Sequence, residues 1–132
     1  MNLNKLFLVV GILGFIVFAL TGQVMMHHYQ VESMEAGPRM LIRSVHLYLM
    51  MAAAINLALG LFGQFSNSKL EILLALIVTS APVLMTIEFF FGTQDIGQQR
   101  PFAYYSLIAI FAIFSFLVVF RWAERLKQHF RK

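Results

Sequence analysis

Residues 40–62 read MLIRSVHLYLMMAAAINLALGLF. Only Arg43 in this stretch is charged at neutral pH, and it lies near the start, one turn before His46. A helix that crosses a hydrocarbon core of about 30 Å needs about 20 mostly apolar residues, and this run supplies them. Tyr48, Ala52, Asn56 and Gly60 recur at every fourth position. On a helix they form a narrow stripe of small bulk carrying one amide. Lipid gives no hydrophobic drive for helix association, so small residues and hydrogen bonds set where helices meet. The stripe predicts a close helix crossing, with Asn56 as a structural polar residue that needs a partner.

Working outward, three more stretches have the same character. Residues 6–26 carry no charge, residues 70–91 carry Glu71 and Glu88 near their ends, and residues 101–122 carry only Arg121 near their end. The connections are short, about 27–39, 63–69 and 92–100, which makes sequence neighbours antiparallel. The expected fold is all-α: an integral membrane four-helix up-down-up-down bundle in a single transmembrane domain, 1–132. The first run is longer than a signal-peptide core and lacks an A-x-A-type cleavage site, so it reads as a retained helix. Pro82 removes one helical hydrogen bond in the third span, and Thr79 and Ser80 are expected to help satisfy the freed carbonyl.

The composition of the chain agrees with this. Of 132 residues, 60% are apolar and 12% charged, with net charge +4 and no cysteine; mean hydropathy is +0.78. So little charge cannot cover the surface of a small soluble domain, and so much apolar character excludes disorder. The absence of cysteine removes disulfide scaffolds, thiolate metal sites and thiol chemistry.

Basic residues set orientation. Lys5, Lys69 and the tail residues Arg121, Arg125, Lys127, Arg131 and Lys132 fall on one side, and Arg39, Arg43 and Arg100 on the other. Both termini are therefore expected in the cytoplasm, in a bacterial inner membrane. Residues 121–132 read as a short basic amphipathic tail, with Trp122, Leu126 and Phe130 on one face and anionic lipid as its partner. Lipid contact explains that charge without nucleic acid. A homo-oligomer or a partner membrane protein would suit the rest.

The ionisable residues inside the spans are the informative ones, because charge there is costly and faces protein or a polar pocket. Arg43 and Glu88 fall at matching depth on neighbouring spans, with His46 one turn deeper than Arg43. They are expected to form an ion pair with His46 beneath it. Arg39, Arg100 and Tyr105 complete a candidate ligand-binding cluster near the outer leaflet, for a small molecule, lipid headgroup or quinone. Haem b would need two axial ligands, and His46 with His27 or His28 are the candidates. Copper would use those histidines with nearby methionines such as Met25 and Met26. Neither set has a specific spacing, and no cofactor is favoured.

No catalytic motif is present: no Ser–His–Asp order, no paired carboxylates, no phosphate loop. A non-enzymatic accessory or scaffold bundle is the leading expectation, ahead of a binding or transport module and a haem or copper redox protein. Small multidrug transporters carry an acidic residue in the first helix, and none stands there in this chain. The polar second-helix pattern of glutathione-related membrane enzymes is not reproduced by Arg43-Ser44-Val45-His46-Leu47-Tyr48.

Overall fold

The computed structural model describes residues 2–65, 68–92 and 101–129; in the last segment, side chains are described for 104–117 and 119. Four helices follow in order: α1 (Leu3–His27), α2 (Ala36–Phe62), α3 (Lys69–Phe91) and α4 (Pro101–His129). A short 3-10 turn, Val31–Ser33, lies between α1 and α2. The first three helices are long and apolar enough to cross a membrane, and α4 holds a shorter apolar stretch, Tyr104–Leu117.

Local chemistry fixes the helix ends. The Asn2 side chain accepts from the Lys5 amide at the start of α1. Ser68 and Glu71 form a reciprocal capping box at the start of α3, which satisfies two otherwise orphaned amides. Helix α2 begins four residues before the stretch quoted above, because Pro38 sits in its first turn, where a missing N–H leaves no bond unmade. Helix α4 runs unbroken through Arg121, Arg125 and Lys127 to His129. Its 29 residues span about 43 Å at 1.5 Å per residue.

Contacts set the register. The Asn4 amide donates to the carbonyls of Gly60 (3.2 Å) and Gly63 (2.7 Å), tying the start of α1 to the end of α2. A Cβ added at Gly11 would lie 2.7 Å from the Leu57 backbone nitrogen, one at Gly14 2.8 Å from Ala53 Cβ, and one at Gly60 2.7 Å from the Leu8 backbone nitrogen. Three glycines thus bring the two helices to backbone contact. The expected crossing at Gly60 is therefore found, and α1 supplies two of the three glycines.

Helix α3 meets α2 around Asn56, which is fully buried. Its amide nitrogen donates to Ala52 O at 2.9 Å and to Val78 O at 3.4 Å. Val78 is four residues before Pro82, so its carbonyl is the one that proline deprives of a helical donor. Asn56 from the neighbouring helix meets it. The hydroxyls expected to do so bond elsewhere: Thr79 donates to Ala75 O (2.8 Å) and Ser80 to Ile77 O (2.8 Å). A β-hydroxyl reaches carbonyls three or four residues before its own position, which places Val78 O out of range of both.

Apolar clusters occupy successive levels. Leu3, Phe7, Leu59, Val78 and Leu117 pack at one level. Leu49, Ala52, Ala81, Met85 and Ile110 pack in the middle. Val31, Ile42, Val45 and Phe89 close the end beside the α1–α2 loop. Val31 reaches that cluster because Gln30 adopts a left-handed conformation (φ 45°, ψ 48°) that turns the chain back over the helices.

Candidate functional site

The polar residues at the α1–α2 loop end divide into two groups. The first is at the surface. Arg43 NH2 lies 3.9 Å from Glu32 Oε1, with the two side chains 51% and 93% exposed. Arg39 NH1 lies 3.5 Å from the Glu32 carbonyl oxygen. The expected Arg43–Glu88 pair is not formed. Ile42, Val45, Leu49 and Ala52 are buried on α2, and Arg43 projects away from that stripe toward the loop. Glu88 is instead buried, 4% exposed, on α3. Tyr105 is exposed and stands against Tyr104, ring centroids 5.5 Å apart. Arg100 lies outside the described residues.

The second group surrounds His46, which does not lie beneath an ion pair. It faces α1, and its Nδ1 is 3.0 Å from Thr21 Oγ1. Its ring stacks on Phe18, with centroids 4.1 Å apart and planes at 19°. The Phe89 ring, from α3, lies 6.3 Å away, and Tyr29 packs edge-on against Phe89 at 5.9 Å.

The tautomer follows from proton counting. Thr21 is fully buried, and its hydroxyl donates to the Phe18 carbonyl at 2.9 Å. A hydroxyl has one proton. If that proton goes to Phe18 O, both short contacts become hydrogen bonds only when His46 donates from Nδ1. The opposite assignment leaves two oxygens 2.9 Å apart with no proton between them. In the neutral ring, Nε2 then carries the lone pair. That edge faces Gly22: a Cβ built there would be 3.7 Å from Nε2 and 3.5 Å from Cε1. Among the described residues no side chain or backbone group bonds Nε2.

The cluster's other histidines stand apart from His46. His27 and His28 are exposed at the end of α1, and His28 packs on Tyr29 at 5.3 Å. Thr21 marks the level of His46 on α1, and His27 is six residues further along, about 9 Å of helix rise. His46 turns its ring toward Thr21 and Phe18, and His27 and His28 are exposed at the helix end. Among the described residues, no group of three or more His, Cys, Asp or Glu is placed to hold a metal ion. Met25 and Met34 pack in the apolar cluster around Val31.

Thr21, Phe18 and Gly22 are the neighbours that sequence reasoning missed. Their signal is the fold's register: the antiparallel pairing that sets Gly14 on Ala53 carries Thr21 to His46. Compared with family models, curated proteins and solved structures, the chain gives no match.

Proposed function

We propose that this chain is a small polytopic membrane protein, an up-down-up-down bundle with a non-enzymatic accessory or scaffold role. The observation that carries the reading is the close packing of α1 on α2. Gly11, Gly14 and Gly60 each leave no room for a Cβ against the facing helix. Small residues at helix contacts are how bundles associate where lipid, not water, is the solvent. Exposed apolar side chains on the other side of α1, such as Val9, Ile12, Leu13 and Ile16, then face acyl chains. Both termini face the cytoplasm in this reading, and the basic end of α4 lies against anionic lipid of a bacterial inner membrane. Self-association or a partner membrane protein would supply the accessory role.

The test combines extraction with topology. The protein is expected to stay in the membrane pellet at alkaline pH. Reporter fusions at both ends are expected to be active only as cytoplasmic reporters, while a reporter inserted at Glu35 is active only as an external one. Release by alkali overturns the membrane reading, and termini on opposite sides overturn the four-span topology.

A second reading, a small-molecule binding module, is favoured by one observation. His46 is held by Thr21 and Phe18, and among the described residues nothing bonds its Nε2, which faces Gly22. Haem or copper at this histidine would supply redox chemistry.

A further inference from the structure

We infer that the His46 Nε2 edge is a hydrogen-bond acceptor for a lipid-soluble hydroxyaromatic molecule, of the hydroquinone class, entering between α1 and α2. The inference rests on the binding reading above and gives it a chemistry.

Three features select this class. First, the hydrogen-bond pattern favours one polarity. With the Thr21 proton on Phe18 O, both Thr21 contacts are hydrogen bonds only if His46 donates from Nδ1, which leaves Nε2 as an acceptor. The group that fits Nε2 is therefore a donor, a hydroxyl rather than a carbonyl. Second, the surroundings of the imidazole are aromatic. Phe18 covers one face of the ring, and Phe89, which packs edge-on with Tyr29, lies 6.3 Å from it. Aromatic rings favour offset or edge-on aromatic partners with centroids 4.5–7 Å apart. Third, the position is too deep for a headgroup. His46 is three residues past Arg43, about 4.5 Å further along the helix axis. A lipid ammonium or phosphate would meet Arg43, Arg39 and Glu32 first, whereas a molecule dissolved in the acyl region reaches Nε2 directly. Gly22 provides the approach, since any larger residue there would place atoms against Nε2 and Cε1.

No electron or proton transfer is part of the inference; the hydroquinone O–H donates to Nε2 and stays intact. His46 is a binding residue and Thr21 a positioning residue, since Thr21 acts only by fixing which ring nitrogen carries the proton.

The test uses the full chain in lipid nanodiscs, dialysed to equilibrium against decylhydroquinone, with empty nanodiscs to subtract partition into lipid. The expected result is saturable binding above the empty discs, and about tenfold weaker binding of the hydroquinone dimethyl ether, which has no donor. A tenfold change corresponds to about 1.4 kcal/mol. His46→Phe keeps the stack on Phe18 and removes the acceptor, and is expected to weaken binding about tenfold or more. Gly22→Val keeps the histidine and blocks its edge, with the same expected loss.

Thr21→Val separates positioning from packing. Without the Thr21 acceptor, the Nε2–H tautomer becomes populated. The preference is then expected to shift from decylhydroquinone toward decylquinone, which accepts rather than donates. Nitrogen-15 spectra of histidine-labelled protein read the tautomer without any ligand, and a protonated Nδ1 with a bare Nε2 is expected. Binding no greater than to empty discs overturns the inference. So does equal binding of the dimethyl ether, wild-type binding by His46→Phe, a protonated Nε2 in the wild type, or a Soret band showing that the nitrogen is held by haem iron. All of these leave the membrane bundle standing, because alkaline extraction tests that separately.

Discussion

The two faces of α2 are closed by opposite means. Toward α1, contact is made by taking side chains away: Gly11, Gly14 and Gly60 let backbone meet backbone or Cβ. Toward α3, side chains stay and interlock, Leu49 and Ala52 with Ala81 and Met85, and one polar side chain, Asn56, reaches the Val78 carbonyl that Pro82 leaves without a helical donor. With lipid as the solvent, as proposed above, neither seam would draw on the hydrophobic effect. The first relies on dispersion between closely fitted surfaces, and the second on satisfying a buried carbonyl. The difference teaches where each seam is vulnerable. A glycine seam fails when volume is added, and a hydrogen-bonded seam fails when a donor is removed.

The largest expected effect therefore comes from adding volume to the glycine seam. Gly11→Val puts a branched side chain where even a Cβ would be 2.7 Å from Leu57 backbone nitrogen. Backbone cannot move aside as a flexible side-chain tip can, so the helices must separate. Overpacking of this kind destabilises by about 1–3 kcal/mol or more, and loss of the neighbouring contacts adds to it. Thermal unfolding in detergent should show a clear drop. Gly22→Ala, where the new Cβ meets only His46 ring atoms at 3.5 Å and beyond, should be near neutral. Equal losses at Gly11 and Gly22 would mean that the seam is not what holds α1.

The α2–α3 seam gives a smaller and more specific effect. Asn56→Leu leaves the Val78 carbonyl without a donor, worth about 1–3 kcal/mol where the group stays dry. Part of that is offset, because the buried Asn56 Oδ1 has no partner among the described residues and its removal relieves a penalty. A net loss of about 1 kcal/mol is expected, within the range measured for interhelical hydrogen bonds in membranes. Pro82→Ala restores an N–H four residues after Val78. In that background Asn56→Leu should cost clearly less. A double-mutant cycle with no coupling between the two positions would show that Asn56 does not serve the proline's carbonyl.

Much of this was legible in the sequence. The apolar runs gave the helices, and the stripe Tyr48/Ala52/Asn56/Gly60 pointed to a close crossing. What sequence could not say was which helix lies on which side of the stripe. Gly60 meets Leu8 on α1 while Asn56 meets Val78 on α3, although the two residues are one turn apart. Depth matching suggested Arg43 with Glu88, but depth does not fix rotation about the helix axis. The buried stripe of Ile42, Val45 and Leu49 does, and it turns Arg43 outward. The same rotation brings His46 to Thr21, a pairing legible only once the α1–α2 register was known.

Thr21→Val should fall next in size. Thr21 is fully buried, and the isosteric change leaves packing intact while His46 loses its Nδ1 acceptor. A neutral hydrogen bond of this kind contributes about 0.5–1.5 kcal/mol net. Because His46 is only partly buried, water or a rotated ring can recover part of it, and a value near the lower end is expected from thermal unfolding.

Arg43 offers the smallest effect and the sharpest check on the division between seams and surface. Its 3.9 Å pair with Glu32 joins two exposed side chains, one of them on a loop. Such pairs contribute about 0–1 kcal/mol, screened further by salt. Arg43→Gln and Glu32→Gln should each shift unfolding by less than about 0.5 kcal/mol, with the shift shrinking as salt is raised. A salt-insensitive loss of about 3 kcal/mol or more would instead signal a buried charge left without its partner. Arg43 would then close α2 against a neighbour by ionic pairing, a third means beside the missing side chains of one seam and the single amide of the other.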